Sequence, residues 1–382
     1  MTATRWKTVR LAKVMQPAVD PHTVDAARSY PNLGIFSFGR GVFSKLPIEG
    51  SATSASTLYR VRGGQFIYSR LFAFEGAYAV VPQDFDGCFV SNEFPAFDCD
   101  LKGVDPRFIG WLFKRPSIWR DIAAHSTGLG NRRQRIHPEQ LLEQVISLPS
   151  LNEQKTIVAR LEALAEQTLQ VEAHLEAVER DAEHLLALQF RDAIANAPSR
   201  PMAEVAPLVR REISIDPNAS YTELGVRSFY KGTFQRRTVT GAEFSWQHLY
   251  GINTGDLVFS NIMAWEQAIA IAKVEDDGCV GNHRMLTCEA KPDCAVPGFL
   301  WYYFTTPDGF DKVYTASPGT SARNRTMTAP SLMAIEVPLP PLTVQQTFDR
   351  LHAEVVALKD KHAAIRTSNK ALLPAILERV FS

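Results

Sequence analysis

The sequence predicts an α/β (α+β) fold in which one unit is written twice: two similar mixed α/β domains separated by two long helices that form an antiparallel coiled coil, with a pseudo-twofold internal repeat. Three observations predict it. The phrase Leu148-Pro149-Ser150-Leu151-Asn152-Glu153-Gln154 returns as Leu339-Pro340-Pro341-Leu342-Thr343-Val344-Gln345, an offset of 191 residues (345 − 154) in a chain of 382. The same offset aligns residues along the rest of both halves. Each copy of the phrase also opens a long run of helical spacing. A period this long describes whole domains, not a solenoid array.

The alignment is dense. Tyr30, Leu33-Gly34 and Ser37-Phe38 meet Tyr221, Leu224-Gly225 and Ser228-Phe229; Gly41 and Phe43 meet Gly232 and Phe234. Gly64, Ser69, Ala73, Glu75 and Ala77 fall on Gly255, Ser260, Ala264, Glu266 and Ala268, and Gly87-Cys88 falls on Gly278-Cys279. The chain divides on this basis into a first domain at 1–148, a long helix at 149–197, a second domain at 198–339 and a closing helix at 340–382.

In the first domain, Gln65–Tyr68 and Ala77–Val81 read as short strands bounded by Gly and Pro. Pro106 opens a helix through Phe113, because Pro is favoured in the first helical turn. Gly128–Arg135 is a glycine-rich loop with a basic end, and Leu141–Leu148 reads as a strand stopped by Pro149. Asn152 is a candidate N-cap for the helix that follows. In that helix Ile157, Leu161, Leu164, Thr168, Val171, Leu175, Val178, Ala182 and Leu185 recur at spacings of four and three, a coiled-coil seam. Ala197–Pro201 makes a linker. The second domain repeats the order with strands at 257–259 and 268–271, a helix from Pro297 to Phe304 and the loop Gly319–Arg325. The last helix carries Phe348, Leu351, Val355, Leu358, His362, Ile365, Asn369, Leu372 and Ile376 at heptad spacing. Between Asn152 and Asp192 the formal charge is −5, whereas the last helix carries +2. Opposite charge makes the two helices natural partners. Thr168, His362 and Asn369 are polar seam positions that fix register at some cost in stability.

Composition is that of a water-exposed globular chain: 45% hydrophobic residues, 10% aromatic and zero net charge. No apolar run is long enough to span a bilayer and no signal-peptide pattern opens the chain, so no membrane association is expected. Five cysteines without a CxxC or paired metal spacing suggest a reducing, cytoplasmic setting, with Cys88 and Cys279 as small buried apolar residues. Catalytic signatures are missing. There is no GxxxxGK[ST] phosphate loop, GxSxG elbow or HExxH, and no Asn/Asp-Pro-Pro-aromatic tetrapeptide of the kind amino methyltransferases use. His283 with Cys279 and Cys288 fits no zinc spacing, and Glu75 with Glu266 reads as a structural carboxylate kept in both copies. No catalytic residue and no metal site is expected.

What the chain does offer is cationic loops on a duplicated scaffold. Asn131, Arg132, Arg133 and Arg135 near the end of the first domain answer Arg323, Asn324 and Arg325 in the second. Arg210, Arg211, Arg227, Lys231, Arg236 and Arg237 add to the second, and Arg40 and Lys45 to the first. Arginine forks suit phosphates and the guanine edge, and asparagine suits adenine. Ser44–Thr57 and Gln235–His248 have drifted apart between the kept Phe43/Phe234 and Leu58/Leu249. A constant scaffold with one varied stretch is what two related readers of different ligands would show.

On Tyr221–Phe234, Gly255–Ser260, the two Leu-Pro phrases and the half-chain repeats, the sequence resembles the specificity (S) subunits of type I restriction–modification systems across essentially its whole length. Val344 replaces the Glu usual before Gln345, and Ser150 replaces a Pro; both touch helix starts. The resemblance implies two target recognition domains, each reading half of a bipartite, asymmetric double-stranded DNA target. It implies a coiled coil that sets spacing and docks two methyltransferase subunits, with restriction/translocase subunits as further partners. Ile157, Leu161, Leu164, Val171, Leu175, Val178, Phe348, Leu351, Val355, Leu358, Ile365 and Leu372 would form that coil and docking platform. S-adenosylmethionine, ATP and Mg would belong to the partner subunits, with no cofactor bound by this chain. The rival reading is a coiled-coil scaffold that binds protein and no DNA.

Overall fold

The computed structural model describes residues 6–124, 135–244, 248–319 and 325–381. The loop residues Asn131, Arg132, Arg133, Arg323 and Asn324, named above as DNA contacts, lie outside the described residues. The chain gathers into two compact units, one of residues 1–175 with 362–382 and the other of residues 176–361. Each unit therefore contains one globule and a half of each long helix.

In the first unit β1 (Lys7–Arg10), β2 (Met15–Ala18), β3 (Pro21–Thr23), β4 (Ser29–Ile35), β5 (Val42–Glu49), β6 (Thr57–Arg60), β7 (Phe66–Tyr68), β8 (Tyr78–Val80), β9 (Phe89–Val90) and β10 (Ala96–Cys99) precede the helices. They form a five-stranded sheet in the order β3-β6-β9-β4-β5 and a four-stranded sheet in the order β2-β10-β7-β8. Helices α1 (Pro106–Leu112), α2 (Pro116–Ala124) and α3 (Pro138–Leu142) follow, and β11 (Val145–Leu148) pairs back onto β1. The strand expected over Leu141–Leu148 is thus shorter at its start, because Pro138 nucleates a helical turn that ends at Leu142. From β11 the chain enters α4 (Leu151–Ile194).

The second unit repeats the plan. β12 (Ser199–Pro201) leads to the short α5 (Met202–Val205), then β13 (Glu212–Ile213), β14 (Ser220–Val226), β15 (Thr233–Thr240), β16 (Leu249–Gly251), β17 (Leu257–Ser260), β18 (Ile269–Ile271), β19 (Val280–Gly281) and β20 (Met285–Cys288). The five-stranded order β13-β16-β19-β14-β15 matches the first unit strand for strand. Helices α6 (Pro297–Thr305), α7 (Pro307–Thr315) and α8 (Ala329–Met333) lead to β21 (Glu336–Pro338) and to α9 (Leu342–Phe381). Part of the expected linker is ordered: Ser199–Pro201 pairs antiparallel with Glu336–Pro338, as Lys7–Arg10 does with β11. Pro201 and Pro338 sit where ladder bonds can be spared, at the ends of a two-stranded edge.

The long helices are fastened at both ends. Gln154 and Gln345 are fully buried. Gln154 Oε1 accepts from Asp105 N at 2.9 Å, and its Nε2 donates to the carbonyls of Gly103 and Pro149 at 3.0 and 2.9 Å. Gln345 makes the same three bonds with Val296 N, Cys294 O and Pro340 O, each 191 residues on. A carboxamide satisfies two acceptors and one donor of a buried loop at once, which explains why the phrase recurs. Each helix then ends against the globule it did not start from. In the first unit Phe381 packs on Phe108 at 5.2 Å beside the buried Leu377; in the second Phe190 packs on Phe299 at 5.0 Å beside the buried Leu186.

Asn152 is not the N-cap of α4. The helix starts one residue earlier, and Ser150 closes a capping box with Glu153. Ser150 N donates to Glu153 Oε2 at 3.0 Å, and Glu153 N donates to Ser150 Oγ at 3.4 Å. Within the first unit the start of α4 lies beside the end of α9, joined by Arg366–Glu172 at 2.6 Å. Asn369 Nδ2 there donates to the Thr168 carbonyl at 2.9 Å. Within the second the end of α4 lies beside the start of α9, joined by Lys359–Glu183. The helices are antiparallel in each. Leu161, Leu175, Phe348, Val355 and His362 are buried in the contact, whereas Val171, Ile365 and Leu372 are 39%, 45% and 40% exposed. A straight α-helix drifts ~20° per heptad against a strict seven-residue repeat, so positions counted onto one stripe do not all stay on the buried side.

Among the described residues no helix is long and apolar enough to cross a membrane. Cys279 is buried and Cys88 half-buried, and burial raises the pKa of both thiols.

Candidate nucleic-acid interface

The drifted stretches begin in β5 and β15, the edge strands of the two five-stranded sheets. Each pairs with its neighbour, β4 or β14, as a two-stranded ribbon whose register shifts once, between Tyr30 and Asn32 in one unit and between Thr222 and Leu224 in the other. Such bulges bend a ribbon and re-aim its side chains. Ser44–Pro47 and Gln235–Thr238 are consecutively exposed, so both faces of the strand meet solvent there. Gly50/Gly241 and Ser54/Ser245 are kept inside the drifted stretch, and for the glycine the reason is backbone crowding. A Cβ on Gly50 or Gly241 would stand 2.0 or 1.9 Å from the carbonyl oxygen of Asp25 or Asp216.

Beneath the exposed face lies a shared seat. A Cβ on Gly34 would meet the Phe43 ring at 2.4 Å and Lys45 Cδ at 3.0 Å; on Gly225 it would meet the Phe234 ring at 2.5 Å and Arg236 Cγ at 3.1 Å. Glycine leaves a flat patch on which a ring and a cationic stem lie side by side. Lys45 and Arg236 are equivalent across the repeat and exposed. Among the described residues neither has an ion-pair partner.

The other nominated cations sort differently. Arg237 is held by Glu223 at 2.9 Å, a hydrogen bond that raises its pKa, and Arg135 by Glu93 at 3.3 Å. Arg325 stacks on Tyr314 at 3.8 Å and donates to Ser317 O at 3.0 Å. Arg211 forms a bidentate pair with the buried Asp256 at 2.6 and 3.0 Å, and its pKa rises chiefly through that bond. Arg210 lies over Tyr250 and donates to Met285 O, and Arg227 lies over Phe234 and donates to Thr233 O. Arg40 donates to Ser37 O at 3.0 Å with its guanidinium 4.9 Å from the Phe36 ring, while Lys231 stands 5.6 Å from the Phe229 ring. Density of cations in sequence thus overstated the free charge. Among the described residues Lys45, Arg236, Arg40, Lys231, Arg210 and Arg227 are exposed without a carboxylate partner, the last two with their guanidinium bonded to backbone carbonyls.

Two further features escaped the sequence. A cleft of about 300 Å³ in the second unit is lined by Glu223, Arg236, Ile262, Asn282 and Arg284 among others. Arg284 is exposed and has no ion-pair partner among the described residues. Its counterpart in the first unit is Glu93, engaged by Arg135. Nothing in the sequence marks Arg284, because its repeat partner carries the opposite charge. The second feature, Phe38 with Phe229, was visible as a kept pair but its exposure was not.

No family model matches the chain, and no curated protein matches it in sequence. Solved structures do. The HsdS subunit from Thermoanaerobacter tengcongensis superposes with a TM-score of 0.66 at 20% identity, covering 99% of this chain and 97% of that one. A chain from a structure concerned with complex assembly and conformational transition of the type I R-M system gives a TM-score of 0.69 at 20% identity, covering 99% and 98%. The likeness extends over essentially the full length of all three and establishes the fold: two mixed α/β domains with two long helices, as the sequence resemblance implied.

Proposed function

We propose that this chain is the DNA-specificity subunit of a type I restriction–modification complex. Each unit reads one half of a bipartite, asymmetric duplex target, and the long helices hold the two readings at a fixed spacing. Half-sites one turn of DNA apart are separated by about 34 Å; helices of 44 and 40 residues, ~66 and ~60 Å long, supply the stiffness such a spacing needs. The observation that carries the reading is the pair Lys45 and Arg236. A cation without an ion-pair partner among the described residues is kept at one place on the exposed edge ribbon of both units, while the residues around it differ. Phosphate contacts of that kind position a protein, and the varied neighbours specify the base pairs.

In this reading the chain is not itself an enzyme. Two methyltransferase subunits dock on it, restriction/translocase subunits join the assembly, and S-adenosylmethionine, ATP and Mg are held by those partners in the cytoplasm. The exposed Val171, Ile365 and Leu372 on the long helices are surfaces for such docking. The test is methylome sequencing of a host carrying the chain with its neighbouring genes, with and without the chain. A bipartite N6-methyladenine motif that disappears on deletion is expected. If the neighbours are expressed and no motif depends on the chain, the protein-only scaffold replaces this reading.

A further inference from the structure

Each edge ribbon turns at a tip that is built alike in both units and carries an exposed phenylalanine on strained backbone. Phe38 has φ +64° and is 63% exposed; Phe229 has φ +60° and is 59% exposed. Bulky residues rarely occupy the left-handed region, and such strain persists only where the surroundings enforce it. They do so here. Ser37 Oγ donates to Glu75 Oε2 at 3.0 Å, and Phe38 N donates to Glu75 O at 2.7 Å. Ser228 Oγ donates to Glu266 Oε2 at 2.7 Å, and Phe229 N donates to Glu266 O at 3.0 Å. The duplicated glutamate is a positioning residue for the tip. A cation stands near each ring: Arg40 at 6.0 Å from the Phe38 centroid, Lys231 at 5.6 Å from that of Phe229.

We infer that the two tips are sequence-independent clamps on the sugar–phosphate backbone of duplex DNA, with Phe38 or Phe229 against deoxyribose and Arg40 or Lys231 on a neighbouring phosphate. This rests on the DNA-reading role proposed above and adds a division of labour within it. A glycine would take these φ values without strain, as Gly39 does next door at +64°, yet an apolar ring is held in water at both positions. The tip joins the same ribbon that carries Lys45 or Arg236, so a ligand lying along the ribbon meets it. Within the tip Phe36/Arg227 and Gly39/Tyr230 differ, but the exposed phenylalanine and the adjoining cation are kept, and the long drifted stretch lies on β5 and β15 and beyond. A contact kept in both units must therefore touch what two different half-sites share, and that is the backbone. The adjoining cation favours a polyanion over an apolar protein surface.

The experiment uses the full-length chain with Phe38→Gly and Phe229→Gly, which remove the rings and relieve the strain, so that folding is preserved. Binding is measured by fluorescence anisotropy, over a salt series, to a duplex carrying the methylome-defined motif and to a scrambled duplex. We expect roughly fivefold weaker binding per ring removed, equal on both duplexes, with an undiminished melting temperature and an unchanged methylated motif. Arg40→Ala with Lys231→Ala should flatten the slope of log K against log salt by about 0.9 per cation removed. Wild-type affinity in the glycine variant overturns the inference, as does a loss confined to the motif duplex. Intact DNA binding with lost methylation in the assembled complex overturns it too and makes the tip a protein-docking contact. A wild-type chain that binds neither duplex removes the DNA-reading role itself.

Discussion

The two units are the same design carried out with different side chains, and many of the places where they agree are of one physical kind. Many kept residues answer a backbone demand. Gln154 and Gln345 satisfy the same three buried loop groups. Tyr30 and Tyr221 accept from Asp25 N and Asp216 N at 2.7 and 2.9 Å, and Gly64 and Gly255 share a left-handed φ of +85° and +88°. Many of the differences fall where no backbone group depends on the side chain. They lie on the exposed edge strands and at Glu93/Arg284, where a salt bridge to Arg135 in the first unit is replaced in the second by a guanidinium with no ion-pair partner among the described residues.

If that comparison is right, its largest consequence is symmetric. Gln154→Ala and Gln345→Ala each leave one amide and two carbonyls, buried or half-buried, without the glutamine partner, and each should cost about 3 kcal/mol. Hydrogen exchange, read separately over Gly103–Asp105 and Cys294–Val296, should show matched losses of protection. A large effect in one unit alone would break the equivalence. The next expectation is asymmetric. A Cβ on Gly76 would lie 2.4 Å from the Trp119 ring at φ +79°, whereas the equivalent Gln267 already bears a side chain at φ +66°. Gly76→Ala should therefore destabilise the first unit by about 2 kcal/mol. Gln267→Gly should stabilise the second by up to about 1 kcal/mol.

Much of this was legible before any coordinates. The repeat, the long helices and their opposed charge came from an offset and a periodicity, both carried by many residues at once. The strand at Ser199–Pro201 reads as linker in the sequence because three residues preceded by Pro198 and ending in Pro201 carry no periodicity, and only pairing with Glu336–Pro338 makes them a strand. The cation set was least legible. Sequence shows where charges are dense but not which carboxylate faces them, and Arg211 and Arg237 each met one far along the chain.

The same sorting yields a prediction at the DNA level. Arg284→Ala should relax the methylated motif at positions in one half only, changing discrimination by about 1–2 kcal/mol, whereas Arg236→Ala, the loss of a phosphate contact, should weaken binding and leave the motif unchanged. Arg237→Ala, which removes a guanidinium already paired with Glu223, should leave the motif alone. Methylome sequencing of each variant tests this. Relaxation in both halves would mean that the cleft does not belong to one reading.

The smallest expected effect concerns the starts of the long helices, where the units agree in the glutamine and disagree in the cap. Ser150 and Glu153 close a capping box on α4. At the equivalent positions α9 has Pro341 and Val344, and Pro341 offers neither an N–H nor a hydroxyl. Ser150→Ala should thus cost about 1 kcal/mol. Val344→Glu should return only about 0.3–0.5 kcal/mol, from a carboxylate near the helix N-terminus, because its reciprocal partner is missing. The buried glutamine three or four residues on anchors both helices regardless. The cap, like the exposed Asn152/Thr343, is therefore free to drift within the recurring phrase, and pairing Val344→Glu with Pro341→Ser should recover the rest of the box energy. If the pair gains no more than Val344→Glu alone, the cap difference is not what separates the two helix starts.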